Sequence, residues 1–303
     1  MTNTGETSEM RVGYVGLGAM GGALVRRLML SRRMRVFDIR SDAVRLFEAE
    51  GALAISDLPS LARTCDVIFV CVPTSDSVRD VLFGKEGLAG ALSPGEIIID
   101  QTTGDPVQTR SIAGELQRLG VLLVDAPVSG GPRGAEAGTI AIMCGGRSEV
   151  FERVRPILES VSPNLVYCGE TGNGHVAKLV NNAVAACNRL ITYEAVAMGF
   201  KYGLSMHDMS KVINKSTGWN SASERILPAL ASGGQTANFQ LKLMVKDLRL
   251  ASQMGMSCGA PMLIANMVRS MFETGANELG GAANLDQMKH LFEAMADIKF
   301  AST

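Results

Sequence analysis

The segment GNGHVAKLVNN, residues 172–182, places Lys178 and Asn182 four residues apart. Side chains at that spacing lie on one face of a helix and can contact the same small ligand. A lysine beside an apolar cleft loses hydration, so its neutral form is favoured and it can exchange a proton near neutral pH. Lys178 is therefore a candidate for giving a proton to a carbonyl oxygen while a hydride reaches the carbonyl carbon. Considered alone, Lys178 would more often be a surface lysine and Asn182 a helix-face amide.

A second polar cluster lies in DAPVSGG, residues 125–131, which follows an apolar run. Open α/β sheets bind ligands at the carboxyl ends of their strands. The hydroxyl group of Ser129 and the backbone amides of Gly130 and Gly131 are suited to holding a carboxylate. A simple connecting loop is the alternative for this segment.

The string GLGAMG, residues 16–21, matches the dinucleotide-binding pattern G-x-G-x-x-G. An apolar run, VGYV, precedes it, a helical pattern follows it, and Asp38 ends the next β-rich run. In such a motif Gly16 permits the tight turn, Gly18 lets a pyrophosphate approach the backbone, and Gly21 lets the helix pack on the strand. The helix N-terminus adds amide donors and a favourable dipole. The context predicts a dinucleotide site.

The choice of nicotinamide cofactor depends on Asp38. Its carboxylate can accept hydrogen bonds from the ribose hydroxyls of NAD and would repel the 2′-phosphate of NADP. Arg40 lies two residues further on and could soften that repulsion. We therefore expect NAD, with NADP left open.

The composition excludes several other classes of protein. Hydrophobic residues make up 47% of the 303 residues and the net charge is -1, so nothing points to a nucleic-acid or membrane-surface partner. The histidines and cysteines are scattered, and we predict no metal site. The start of the chain, residues 1–10, is polar and lacks a signal-peptide pattern, and no apolar stretch approaches a membrane span. These features predict a cytoplasmic protein.

The first half of the chain alternates short β-rich runs with helical patterns, which is typical of a doubly wound, mainly parallel sheet. We predict helices over residues 19–30, 42–50, 106–119 and 149–159, and strands over residues 11–15, 35–38, 67–72, 97–100, 121–125, 139–143 and 165–167.

From about His175 onward the apolar residues recur only at helical spacing. The fold class predicted is therefore α/β, with a Rossmann-type doubly wound sheet followed by an all-α C-terminal domain. We place the nucleotide-binding domain at residues 1–170 and a helical substrate and oligomerisation domain at residues 171–303. Within the second domain we predict a long helix from about residue 175 and further helices over residues 206–214, 222–230, 241–254, 261–274 and 285–295.

Four motifs, in this order, resemble those of the β-hydroxyacid dehydrogenase family: GLGAMG, DAPVSGG, GNGHVAKLVNN and LMVKDLRLA. The family includes 3-hydroxyisobutyrate dehydrogenases and tartronate semialdehyde reductases, and the resemblance runs from Val12 to about Ala294. It implies an oxidoreductase that moves a hydride between a nicotinamide cofactor and a small 3-hydroxy acid or acid semialdehyde. It also implies a homo-oligomer that pairs through the helical domain.

The resemblance implies a role at each matching position. Lys178 would be the catalytic acid/base, and Ser129, Gly130, Gly131 and Asn182 would hold the substrate carboxylate. The adenosine diphosphate end of the cofactor would be bound by Gly16, Leu17, Gly18, Met20, Gly21 and Asp38. Further cofactor contacts would come from Val72 and Pro73, which pass beneath it, from Ser77, from Thr103 beside the nicotinamide ribose, and from Lys246 in the helical domain.

Two segments depart from these motifs or lie outside them. Pro132 and Arg133 follow DAPVSGG where relatives often carry an apolar residue, so Arg133 either meets a second acidic group of the substrate or faces solvent. Trp219 and Asn220 lie where the family's helical domain closes over the substrate, which makes them candidates for specificity.

Three alternative readings remain. Imine reductases share the two-domain plan but usually lack the lysine, so Lys178 argues against that class. The related 6-phosphogluconate dehydrogenases have a longer helical domain than this chain. A non-catalytic nucleotide-binding protein of the same fold would not need to keep both Lys178 and the loop at Ser129, and both are present.

Overall fold

The structure is a computed structural model that describes residues 10–232, 234, 236 and 239–300. Residues 1–9, which carry most of the polar start discussed above, lie outside the described residues. The chain forms two compact units that divide between Lys178 and Leu179. The division lies inside a long helix.

The first unit is built on a six-stranded sheet in the order β3-β2-β1-β4-β5-β6, and every neighbouring pair of strands is parallel. Apolar runs such as VIFV and IIID are buried along their whole length, as expected of strands covered by helices on both faces. The chain order reverses between β1 and β4, which creates a crevice at their carboxyl ends. The strands are β1 Val12–Val15, β2 Met34–Phe37, β3 Leu53–Ala54, β4 Val67–Val70, β5 Ile97–Asp100 and β6 Leu122–Asp125.

Helices connect these strands and cover the sheet. Local caps begin several of them: Asp57 accepts a hydrogen bond from the Ser60 amide, and Asp105 accepts one from the Val107 amide. The helices are α1 Ala19–Met29, α2 Ser41–Ala49, α3 Leu58–Thr64, α4 Ser75–Phe83, α5 Pro106–Arg118, α6 Gly131–Glu136 and α7 Ser148–Val161.

A second, three-stranded sheet belongs to the same unit. It contains β7 Val128–Ser129, β8 Ala141–Cys144 and β9 Leu165–Tyr167, with β7 antiparallel to β8. Residues 139–143 and 165–167 were predicted as strands of the main sheet, but their strands pair in this separate sheet. Strand β7 has two residues, which is too short for a period-two pattern, so the antiparallel pairing had no signal in the sequence.

The second unit is helical. The long helix α8, Asn173–Lys201, begins in the first unit and continues into this one. It is followed by α9 Met206–Asn214, α10 Ser221–Ala231, α11 Leu241–Cys258, α12 Leu263–Leu279 and α13 Lys289–Ala296. Buried apolar residues, among them Tyr193, Phe272 and Phe292, form the core of this unit. The predicted fold class, a Rossmann-type sheet followed by a helical region, is confirmed.

Among the described residues, no helix combines the length and the apolar character needed to cross a membrane.

Candidate active site

The glycine-rich turn joins β1 to α1. Gly16 has φ +98, and a Cβ atom there would lie 2.2 Å from the Cys71 carbonyl oxygen. A Cβ atom on Gly21 would lie 2.0 Å from the Gly16 carbonyl oxygen. At Gly18, by contrast, a Cβ atom would meet no described atom within 4 Å. Two of the glycines are therefore required by the turn itself, whereas Gly18 faces open space, as a ligand-facing glycine should.

Helix α1 begins at this turn without a side-chain cap in the described part of the chain, because Gly18 is its N-cap. The amide groups at the start of a helix need acceptors, and a phosphate supplies them together with a charge that suits the helix dipole. The uncapped start and the open space at Gly18 therefore fit the pyrophosphate of a dinucleotide.

Asp38 follows β2 and lies beside the same turn. One carboxylate oxygen accepts a hydrogen bond of 2.6 Å from the Leu17 amide, and the other accepts one of 2.8 Å from the Arg40 amide. The Arg40 Nε atom lies 3.4 Å from the second oxygen. A carboxylate offers about four acceptor positions, so two hydrogen bonds leave capacity for ribose hydroxyls.

The segments after β4 and β5 carry the other predicted cofactor residues of this unit. The amide of Val72, which precedes Pro73, donates to the Thr102 hydroxyl oxygen at 3.2 Å, so the segment after β4 is joined to the segment that contains Thr103. Ser77 lies in the first turn of α4, and its amide and hydroxyl both contact the Thr74 hydroxyl. Ser77 is thus part of the start of this helix.

The loop predicted to hold the substrate carboxylate lies between β7 and α6. Ser129 ends β7 and pairs with Ala141 of β8. Gly130 has φ +141 and Gly131 has φ +72, conformations that side-chain-bearing residues rarely adopt. A Cβ atom on Gly131 would meet no described atom within 4 Å. The two glycines turn the backbone sharply at this point, as expected of an anion-binding loop.

Lys178 lies in α8 and is 8% exposed. The first turn of that helix is held by Asp125, whose carboxylate oxygens accept hydrogen bonds from the Gly172 amide at 2.7 Å and from the His175 amide at 2.9 Å. Asp125 is the first residue of DAPVSGG, so the motif proposed for the substrate also supports the helix that carries the lysine.

His175 is fully buried in the same turn. Its Nδ1 atom lies 2.8 Å from the Thr109 hydroxyl oxygen, and its Nε2 atom lies 3.8 Å from an oxygen of Asp100. Asp100 ends β5 next to Asp125 of β6 and is 2% exposed. Burial raises the pKa of the Asp100 carboxyl group, and the nearby His175 opposes that rise.

In the second unit, Asn182 and Lys246 meet at one carboxylate. The amide group of Asn182 donates to Asp247 at 2.7 Å, and the Lys246 ammonium group lies 3.1 Å from the other Asp247 oxygen. Asn182 and Asp247 are buried, at 6% and 1% exposure. Two residues predicted from separate motifs are therefore brought together within this unit.

The residues considered for specificity differ in their surroundings. Arg133 is exposed on α6. Trp219 is 56% exposed. The side chain of Asn220 caps α10, since its oxygen accepts hydrogen bonds from the amides of Ala222 and Ser223. A structural cap is therefore enough to explain Asn220.

Four further residues around the site were not singled out from the sequence: Asp100, Asp125, His175 and Asp247. The three aspartates had a usable signal in the sequence. Asp100 and Asp125 end buried strands, and Asp247 interrupts the buried face of α11, and a charged residue in either position needs a partner. The partners themselves are distant in sequence. Among the described residues, no group of three histidine, cysteine or acidic side chains is arranged to hold a metal ion.

Two domain families match the chain. The first, described as the NAD binding domain of 6-phosphogluconate dehydrogenase, matches residues 11–169. The second, described as NAD-binding of NADP-dependent 3-hydroxyisobutyrate dehydrogenase, matches residues 172–292. The chain therefore carries a binding domain for a nicotinamide dinucleotide, NAD or NADP.

Relatives of similar length match almost the whole chain. A 2-(hydroxymethyl)glutarate dehydrogenase of Eubacterium barkeri is 33% identical over 95% of this chain and 97% of its own. A 3-hydroxyisobutyrate dehydrogenase of Pseudomonas aeruginosa is 33% identical over 88% of this chain and 92% of its own.

Solved structures share the fold. A Mycobacterium tuberculosis 3-hydroxyisobutyrate dehydrogenase with L-serine has a TM-score of 0.83 at 29% identity and covers 93% of this chain and 98% of its own. An imine reductase of Myxococcus stipitatus with NADP+ has a TM-score of 0.62, covering 93% of this chain and 99% of its own, but at 16% identity it shows a common fold alone. Because its matched families and its 33% identical relatives span nearly its whole length, the chain belongs to the β-hydroxyacid dehydrogenase family of nicotinamide-dependent oxidoreductases.

Proposed function

We propose that the protein transfers a hydride between a nicotinamide cofactor and a small 3-hydroxy acid or its semialdehyde, with Lys178 as the general acid/base. The observation that supports this most is the burial of Lys178 in α8. It lies one helical turn after His175, whose amide donates a hydrogen bond to Asp125 of the DAPVSGG motif. A buried lysine is suited to proton transfer because desolvation favours its neutral form.

Each group of the site has a part in this reaction. When bound, the nicotinamide supplies or accepts the hydride. The turn at Gly16–Gly21 and the start of α1 hold the pyrophosphate, and Asp38 accepts hydrogen bonds from a ribose. The Ser129 hydroxyl and the amides of Gly130 and Gly131 orient the substrate carboxylate, a role that the family resemblance also implies for Asn182. In reduction Lys178 gives a proton to the carbonyl oxygen, and in oxidation it takes the proton of the alcohol.

The names of the relatives narrow the substrate class. 3-Hydroxyisobutyrate and 2-(hydroxymethyl)glutarate both carry a hydroxymethyl group on the carbon that bears a carboxylate. We extend that shared chemistry to this chain: a primary alcohol beside a carboxylate, oxidised to the semialdehyde.

A panel of substrates tests the proposal. NADH oxidation should be seen with semialdehydes of small 3-hydroxy acids, and NAD reduction with the acids themselves. Aldehydes of the same size without a carboxylate should react at least about tenfold more slowly, because the carboxylate loop would then bind nothing. The proposal would be contradicted if the protein reduced cyclic imines but reduced none of the semialdehydes.

Cofactor preference should depend on the charge of Asp38. We expect the wild-type protein to prefer NADH, and Asp38→Asn to raise the ratio of kcat/KM for NADPH to that for NADH by about tenfold or more, because the repulsion of the 2′-phosphate is removed. Asn keeps an acceptor for the Leu17 amide. Asp42→Asn, an equal loss of charge on exposed α2, is the matched control and should leave the ratio unchanged. A wild-type protein that already prefers NADPH would refute this role of Asp38.

We also propose that the protein forms a homo-oligomer through its helical domain. Four apolar side chains of α8 recur at spacings of four or seven residues and are more than half exposed: Val180, Val184, Ile191 and Met198. Apolar residues at such spacing form one stripe along a helix and favour pairing with another helix. A particle mass of one chain at micromolar concentration would contradict this proposal.

A further inference from the structure

The ends of β5 and β6 place two buried aspartates side by side. Asp100 and Asp125 are in register on parallel strands, and they are 2% and 0% exposed. Two neighbouring buried carboxylates are costly unless each has its own partners or they share a proton. Both aspartates face His175 of α8, the helix that carries Lys178.

Asp125 acts as a cap supplied from a distant strand. Gly172 immediately precedes α8 and has no side chain with which to cap it, and the Asp125 carboxylate accepts the amide hydrogens of Gly172 and His175. Cap residues normally bind the same pair of amides from within the helix's own sequence. Here the cap lies 47 residues away from Gly172.

The packing around this cap leaves no room for a side chain at Gly174 or Gly145. A Cβ atom on Gly174 would lie 2.5 Å from the Met143 carbonyl oxygen, and one on Gly145 would lie 2.6 Å from the Gly174 amide nitrogen. The backbone amide and the backbone carbonyl of Asp125 both form hydrogen bonds with Gly145. The first turn of α8 is therefore closely seated on the end of β6.

His175 joins the same turn to α5. The Thr109 hydroxyl has one hydrogen and lies 2.9 Å from the Asp105 carbonyl oxygen, which can only accept. We therefore assign the hydrogen of the 2.8 Å contact with His175 to Nδ1. In neutral His175 the Nε2 atom is then an acceptor. It has no hydrogen-bond partner among the described residues and faces an Asp100 oxygen at 3.8 Å.

Two buried acceptors that face each other repel unless a proton lies between them. A proton on Nε2 or on Asp100 removes that repulsion, and burial already raises the pKa of Asp100. The other oxygen of Asp100 accepts the Thr102 amide, which precedes Thr103. The pair therefore connects α8 to the segment predicted to lie beside the nicotinamide ribose.

We propose that Asp125 and the Asp100–His175 pair are positioning residues for Lys178. In this proposal Asp125 fixes the first turn of α8, and the pair, sharing one buried proton, fastens that turn to the segment carrying Thr103. The inference rests on the proposed function, because it concerns how precisely Lys178 is placed.

The first test is Asp125→Ala in the full-length protein. Misplacing a catalytic group by about 1 Å costs on the order of 100-fold, so we expect kcat with a semialdehyde to fall by about 10- to 100-fold. The KM for NADH and its dissociation constant should stay within about threefold of the wild-type values. Amide hydrogen exchange should become faster over residues 172–178, because the cap is lost.

Asp57→Ala is the matched control. It removes an aspartate cap from α3 in the same unit, but it should leave kcat and the exchange of residues 172–178 unchanged. A kcat in Asp125→Ala no lower than in Asp57→Ala would overturn the proposal, and so would unchanged exchange in that segment.

Two variants of His175 test the shared proton. In general a glutamine amide reaches the position of Nε2 and an asparagine amide that of Nδ1. His175→Gln should therefore keep an N–H group that faces the Asp100 oxygen and most of kcat, whereas His175→Asn should lose at least about tenfold in kcat. Equal kcat in the two variants would overturn the role of the pair, and this comparison decides the matter if Asp125→Ala does not fold. If the wild-type protein reduces no semialdehyde, the proposed function fails, and the exchange measurements still decide whether Asp125 holds the turn.

Discussion

Replacement of Lys178 by alanine is expected to lower kcat for semialdehyde reduction by about 100- to 10,000-fold, the range that a general acid/base contributes. Lys178 is the buried lysine of α8, and the proposed chemistry requires one proton at the carbonyl oxygen for every hydride transferred. NADH should still bind, because the turn at Gly16–Gly21 and Asp38 are untouched. Stopped-flow or steady-state oxidation of NADH measures the first quantity, and NADH fluorescence measures the second.

Two controls separate proton transfer from charge and from general damage. Lys178→Arg keeps the positive charge but holds its proton too firmly to act as an acid/base near neutral pH, so its kcat should stay close to that of the alanine variant. Lys201→Ala removes an exposed lysine at the other end of the same helix and should have no effect. Full activity in Lys178→Ala would contradict the assignment of Lys178 as the general acid/base.

The second large effect is expected at the glycine-rich turn, where two glycines should fail in different ways. Gly18→Ala should leave the free energy of unfolding nearly unchanged, because a Cβ atom there meets no described atom within 4 Å. It should weaken NADH binding, because the same Cβ atom would occupy the place proposed for the pyrophosphate. Overpacking costs about 1–3 kcal/mol, which corresponds to a dissociation constant about 10- to 100-fold higher.

Gly16→Ala should act on the fold instead. Its φ of +98 is strained for alanine, and its Cβ atom would lie 2.2 Å from the Cys71 carbonyl oxygen. We expect a loss of at least about 2 kcal/mol in the free energy of unfolding. Gly114→Ala in α5 is the control for adding a methyl group, since its Cβ atom meets no described atom within 4 Å either. It should leave NADH binding unchanged and should not lower the free energy of unfolding. Tight NADH binding by Gly18→Ala would show that the pyrophosphate lies elsewhere.

Much of the fold could be predicted because its signals are local. The strands β1, β4, β5 and β6 are short apolar runs bounded by turns, and α8 to α13 repeat their apolar residues at helical spacing. Such patterns depend only on neighbours in sequence. The exceptions follow the same logic: β7 is too short to show a period, and α8 begins at Asn173, two residues before the predicted start, because its cap comes from another strand.

The candidate site could be predicted only in part. Lys178, Ser129 and the glycines lie in motifs whose residues are adjacent in sequence, so the motifs alone singled them out. The carboxylates that hold these groups did not stand out. Asp247 contacts Asn182 across 65 residues, and Asp125 contacts His175 across 50. A contact of that kind depends on strand order and on helix packing, which no single segment encodes.

The sequence by itself determined that a dinucleotide-binding turn, a Ser-Gly-Gly loop and a helical lysine occur in this order, because each depends on residue types at short, regular spacing. The tertiary structure decided how the first turn of α8 is held. Strands β5 and β6 lie side by side, so Asp100 and Asp125 come into register, and both reach the first turn of α8. Burying polar groups is costly without partners, and only the folded chain brings those partners within hydrogen-bonding distance.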